Sequence, residues 1–424
     1  MPAFRLSLLA LVLSAAPLFA DWTYEVSGGK EDLQTVLLSL PLPTKSTVPE
    51  AVSVTRSDGA DIWSQLLPAG APGLPKDQAS VVVLLGLKAG ETQTLTVKPQ
   101  PKSKKAGFEW DSANGQPTEL WWRHGARDVR LVKFMGAPFD PKAGPQDKPK
   151  DKQALENPTI KPYHHVFDSQ TGSVQLTNGP TGQYPHHRGV FYGFNKITYD
   201  GKTADTWHCR NGESTVAGEP QLATGGPLFG LHRFTVTWNG QDGKPFAQEL
   251  RQLLVFHMST ADSSTASTII DFSSEMHTTL ETGVKLDGDP QHAGFHFRAN
   301  SEMEKNTKAT YFLRPDGQGK RGEELNWDPK TKKGPVNLPW DAMSFELGPN
   351  RYTVLYLDHP NNPKEARQSE RCYGRIGTYF EYQLTPQKPL IVHYRLRISH
   401  DELSKEVCEA WSKSFTQEVR VVAK

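Results

Sequence analysis

Cysteine is nearly absent: Cys209, Cys372 and Cys408 are the three in 424 residues. An odd, small set excludes a disulfide framework, leaving at most one bridge and a spare thiol. No Cys-x-x-Cys or Cys/His finger spacing occurs, so a structural zinc site is not expected. An excess of charge is absent too, with 48 Lys and Arg against 47 Asp and Glu. That balance argues against a general nucleic-acid or membrane-surface binder. Beyond the first twenty residues no apolar run reaches the roughly twenty needed to span a bilayer. Strand–helix alternation, a glycine-rich phosphate loop and a fixed-length repeat are also missing, which argues against parallel α/β and solenoid architectures.

What is present is glycine and proline, 35 and 32 residues, as expected of many turns and short strands. Residues 1–20 read as a cleaved signal peptide: Arg5, the apolar run Leu6–Ala16, then Ala20 before Asp21. The expected location is periplasmic or extracellular. Residues 21–105 read as a small β-sandwich module, with strands at Ser80–Leu87 and Thr92–Lys98 and a linker at Pro99–Lys105. This module holds no His and no Cys and is assigned no chemistry. Residues 106–424 read as a second, larger β domain. Its strands include Leu231–Trp238, Phe246–Phe256, Thr268–Glu275, Thr278–Lys285, Gly294–Arg298, Arg351–Leu357 and Leu390–Ile398. In the last, Leu390, Val392, Tyr394, Leu396 and Ile398 share one face. Gly136–Pro158 reads as a long solvated loop, and one clear helix is expected in Asp401–Phe415.

The polar residues gather in and around Lys161–Gly193, which carries two adjacent imidazole pairs, His164–His165 and His186–His187. Imidazole is the side chain best suited to proton transfer near neutral pH. His186 or His187 is therefore the candidate base, with Arg188 beside it to offset developing negative charge. In ADTWHC, Asp205 stands where it can orient His208 or cap a turn. His292 and His296 lie four apart, but in a strand that spacing covers about 13 Å, too far for one ion. His296 or Tyr373 is the candidate acid. His165, Tyr184, Trp207, Arg298 and Arg371 are candidates for holding substrate, the Arg and Tyr types suiting a uronate-like or oxidised sugar. The spacing fixes no metal or other cofactor, and no obligate protein partner is evident.

Six runs, KPYHHVFD, LTNGPTGQYPHHRGVFYGFNKI, ADTWHC, VKLDGDPQHAGFHFRAN, RYTVLYLDHPNNPKE and ERCYGRIGTYFEY, resemble secreted bacterial proteins labelled methane oxygenase PmoA-like. The resemblance covers roughly Glu119–Ser399. It implies a domain similar to the antiparallel β-supersandwich of galactose mutarotase and several polysaccharide lyases, a glycan-degradation setting, and a site including His186, His187, Arg188, His208, His292 and His296. The expected molecule is all-β: a small β-sandwich followed by a large antiparallel β-supersandwich with one short C-terminal helix. The expected function is a carbohydrate lyase or hydrolase acting on a sugar or modified sugar. The alternatives are a non-catalytic glycan-binding protein and a metal-dependent enzyme with a His-ligated ion.

Overall fold

The computed structural model describes residues 20–44, 47–101, 107–259 and 266–424. The signal-peptide expectation and most of the linker fall outside them. Among the described residues every strand pairing between the named strands is antiparallel, and three short helices complete an all-β architecture. Two large sheets dominate. The first has eight strands, in the order Arg367–Arg371, Arg375–Tyr379, Ala293–Arg298, Val190–Phe194, Tyr163–Val166, Arg127–Met135, Gln116–His124 and Gly107–Ala113. The second has nine, from Ser214–Thr224 through Gly230–Asn239, Pro245–Met258, Ser267–His277, Leu390–His400, Asn350–Asp358 and Trp340–Leu347 to Tyr311–Arg314 and Gly317–Gln318.

Alternation along the strands decides what each face meets. Val190, Tyr192, Phe194, Phe295 and Phe297 of the eight-stranded sheet pack into one core with Phe234, Val236, Phe272, Val354 and Tyr394 of the nine-stranded sheet. Phe272 and Phe295 stack across the two sheets at 4.4 Å. Burying each such ring is worth about 1.5–3 kcal/mol. Leu390, Val392, Tyr394, Leu396 and Ile398 all enter this core, as the alternation of their strand predicts. The intervening residues of the eight-stranded sheet, among them Tyr163, Phe191, His296 and Arg298, turn to the opposite face, where Tyr163 and Phe191 pack with Trp207.

The nine-stranded sheet is covered on its other face as well. Leu231, Leu254, Phe256, Ile269 and Leu355 pack with Leu67, Ala71 and Val82 of the first module and with Cys408 and Trp411 of the helix Lys405–Thr416. The first module is a seven-stranded sheet whose last member is the chain's final strand, Arg420–Ala423, paired with Trp22–Ser27. The C-terminus thus returns to the first module, although residues 106–424 read in sequence as one unit.

Three local expectations differ from the structure. Within Gly136–Pro158 a short helix forms at Lys150–Glu156, opened by Pro149 and anchored by the single buried apolar residue, Leu155. Ser301–Ala309 is a 3-10 helix whose Asn300 side chain accepts the Glu302 N–H. Thr278–Lys285 is mostly turn, since Gly283 at φ +73° bonds back to Leu280, and the strand there is Val284–Asp287.

Candidate functional site

Four imidazoles converge on the outer face of the eight-stranded sheet. His186 and His187 arrive on the loop before Val190–Phe194, and His208 on the loop after Lys202–Ala204. His292 stands in the turn before Ala293–Arg298. Ring centroids are 4.1 Å apart for His186–His187, 4.5 Å for His186–His208, 4.8 Å for His208–His292 and 5.9 Å for His186–His292. Behind them lie Trp207 and Phe191, and beside them a pair of tyrosines. Tyr184 and Tyr373 are 4.6 Å apart, with the Tyr373 ring parallel to His187 at 6.1 Å.

Two of the imidazoles are oriented identically. His208 donates from Nδ1 to Asp205 Oδ2 at 2.7 Å, and His292 from Nδ1 to Asp289 Oδ1 at 2.9 Å. A carboxylate only accepts, so each ring holds a proton on Nδ1 and leaves Nε2 as the nitrogen turned away from its aspartate. Both pairs come from the same tetrapeptide pattern, Asp-x-x-His, in Asp205–His208 and Asp289–His292. That repeat was the sequence signal for His292 and its partner, and spacing His292 against His296 overlooked it. The carboxylates are fixed in turn. Asp205 Oδ1 accepts the backbone N–H of Trp207 and His208, so it both caps the turn and orients the ring. Asp289 accepts from Asn195 Nδ2 at 2.8 Å and from the Gln291 N–H. Burial pushes the Asp289 carboxyl up, but its bonds from His292, Asn195 and Gln291 outweigh that and hold it well below the usual range.

His186 and His187 are the opposite case. Both are buried, at 7 % and 1 % exposed, and neither ring nitrogen of either residue has a hydrogen-bond partner. Burial, then the adjoining His208, Lys161 and His292, drives the His186 imidazole far below its ordinary value. Burial, then His186, Arg375 and Arg298, does the same to His187. Burial also lowers His208 by more than Asp205 raises it. His186, His187 and His208 are therefore held as neutral imidazoles. His186, His208 and His292 can each bring one nitrogen within 4.8 Å of the others', which makes them the residues able to hold a metal ion.

The remaining candidates are placed as follows. Arg188 is fully buried and points away from the cluster, donating to the carbonyls of Asn157 (2.7 Å), Leu155 (2.6 Å) and Pro185 (3.1 Å). Its guanidinium braces the helix at Lys150–Glu156 and is not available to a substrate anion. His296 uses both nitrogens, donating from Nε2 to Ala293 O at 2.7 Å and accepting from Arg375 at Nδ1 at 2.9 Å, so it is not a free acid. Arg298 is tied to Glu304 and to Tyr373 O. Trp207 is wholly buried and forms the floor under the imidazoles, not a surface for a sugar. His165 bonds Thr177 Oγ1 at 3.0 Å and packs on Tyr163, and no ring contact among the described residues joins it to the cluster. His164, its neighbour, faces the core and meets His232 at 3.3 Å. Tyr184, Tyr373 and Arg371 keep partial exposure at the rim. Sequence reading missed Lys161, whose buried Nζ donates to the carbonyls of His186 (2.8 Å) and Trp207 and so ties the two histidine loops together. Burial and then Arg188 bring its pKa down to about 7. The three cysteines are free and buried.

A family model described as a family of unknown function, DUF6807, matches residues 142–413. The chain belongs to that family. The matched span contains all four clustered imidazoles, both orienting aspartates and the tyrosine pair. No curated protein matches. Among solved structures, the chain is similar to the crystal structure of Pseudomonas aeruginosa OccK2 (OpdF) in complex with glucuronate. The likeness is 8 % identity and a TM-score of 0.12, over 89 % of this chain and 95 % of that one, and carries no argument about fold or function.

Proposed function

We propose that this protein is an exported carbohydrate-active enzyme, a lyase or hydrolase, whose reaction is carried by the cluster of His186, His187, His208 and His292. The observation that supports this is the burial of two neutral imidazoles with all four ring nitrogens unpartnered. An unsatisfied buried polar group costs about 1–3 kcal/mol, so folding alone gives no reason to put them there. A non-catalytic glycan binder would present an open aromatic platform with dispersed histidines. Here the imidazoles meet, and Tyr184 and Tyr373 provide a half-exposed wall beside them on which a sugar ring can rest. The resemblance to mutarotase-like supersandwiches and polysaccharide lyases points to the same substrate class.

In this reading His187 is the base that takes a proton from the sugar ring, because its nitrogens are uncommitted and its ring lies parallel to Tyr373. Tyr373, whose hydroxyl accepts from Arg375 Nε at 3.3 Å, stands beside it as the group that returns a proton to the leaving oxygen. The test is a screen of oligosaccharides, uronate-containing ones included, and 3-keto-sugars against wild type and His187→Ala. Product from wild type with at least a 100-fold lower rate in the variant is expected. Binding without turnover, unchanged by the substitution, would make the protein a glycan-binding module.

A further inference from the structure

We propose that His186, His208 and His292 ligate a single divalent transition-metal ion, zinc being the type case, with a fourth position open toward Tyr184 and Tyr373. The inference deepens the enzymatic reading above and rests on it only for the ion's purpose, not for its binding. Three observations carry it. Ligand nitrogens from three separate loops lie within 4.8 Å of one another. Around a tetrahedral ion with bonds of about 2.1 Å such nitrogens stand about 3.4 Å apart, so side-chain adjustments of about 1 Å close the set. Second, Asp205 and Asp289 fix the Nδ1 protons of His208 and His292, which is how carboxylates orient ligating imidazoles, and their two negative charges offset those of a divalent ion. Third, His186 lies between them, buried, with no partner on either nitrogen.

The arrangement makes poor sense without a cation. Uncharged imidazoles packed this closely offer nothing to offset an enolate or alkoxide forming on a substrate. Arg188 and Lys161 are committed to backbone carbonyls, and Arg210, two residues beyond His208, is exposed. An ion held by three imidazoles reverses the sign of the site, and imidazole suits zinc, copper, iron and nickel rather than magnesium or calcium. Three protein ligands plus an open position is also the pattern of catalytic rather than structural zinc. The site is reachable from solvent, since the His292 side chain is 27 % exposed while His186 is buried.

The test uses the full chain, stripped with EDTA and titrated with Zn²⁺ by calorimetry. One ion per chain is expected. His208→Ala should weaken binding at least 100-fold, and the near-isosteric Asp205→Asn and Asp289→Asn by about 10–100-fold. Circular-dichroism melts of the metal-free variants, overlaying wild type within a few degrees, separate ligand loss from misfolding. Absence of saturable Zn²⁺ binding by wild type, or equal affinity in folded His208→Ala and His292→Ala, would overturn the site. Full turnover of a sugar by the stripped protein would overturn the ion's catalytic purpose alone, leaving the binding site and the enzymatic reading intact. Stoichiometric binding without turnover of any sugar would uphold the site and remove the carbohydrate chemistry.

Discussion

Replacing His187 by leucine should make the protein more stable and inactive. The residue is 1 % exposed and its neutral ring buries one N–H donor and one acceptor with no partner for either. Removing two such groups returns about 2–6 kcal/mol if the shape is kept. Against this, leucine loses the parallel contact with Tyr373 and the edge contact with Trp207, about 0.5–1.5 kcal/mol each. Taking about 3 kcal/mol of the gain against about 1–2 kcal/mol of loss, the balance is about 1–2 kcal/mol of stabilisation. With an unfolding entropy of about 0.9 kcal/mol per kelvin for a chain this long, that is a rise in Tm of about 1–2 °C. Differential scanning calorimetry of EDTA-treated wild type and variant reads it, and a turnover assay on untreated samples of the two should show at least a 100-fold loss. A fall in Tm of more than about 2 °C would mean that the ring nitrogens are satisfied in the folded protein, and the argument from unpaired burial would fail.

Arg188→Met should cost about 3 kcal/mol or more by urea titration, because three backbone carbonyls lose a charged donor, and Arg188→Lys should recover little of it. A catalytic arginine would instead show near-normal stability with lost turnover. Gly377→Ala should destabilise by several kcal/mol and weaken the His296–Arg375 pair, since the added carbon would lie 2.3 Å from Phe295 O and 2.5 Å from His296 Cγ. An unchanged melt would show that the strands can separate there. His232 is fully buried, and burial, then Arg251, brings its pKa down to about 3. A depressed folded-state value means that its stabilising contribution is complete above the unfolded value of about 6.5 and is lost as pH falls below it. Between pH 7.5 and 5.5 this single group removes about 1.4 kcal/mol, so His232→Leu should lose that much less than wild type over the same interval. Parallel pH dependences of wild type and variant would contradict the assignment.

The strands were legible where alternation is strict. Leu390–Ile398 shows its core face in the sequence because every second residue is apolar, and the core of the sandwich uses that face. The site was legible as a set of residue types: His186 next to His187 between proline and an Arg-Gly step does bring both rings to one place. What could not be read was which polar groups would be consumed by the scaffold. Arg188 looks like a substrate clamp until the helix at Lys150–Glu156 presents its carbonyls to it, and that helix has a single buried apolar residue to announce it. Lys161 looks like any solvated lysine, and its burial depends on two loops, 25 and 46 residues further along, closing over it. The return of Arg420–Ala423 to the first sheet is likewise a long-range pairing with no local signature. The repeated Asp-x-x-His turn was present in the sequence from the start, and it marks both oriented imidazoles.

Turnover by a folded variant pair bears most directly on the central claim that these imidazoles converge to do chemistry. His208→Ala removes a member of the cluster, while His277→Ala removes an exposed imidazole paired with Glu275. With a sugar substrate found in the screen, the rate should fall at least 100-fold for His208→Ala and stay within about twofold for His277→Ala. Equal rates for the two variants would contradict the account.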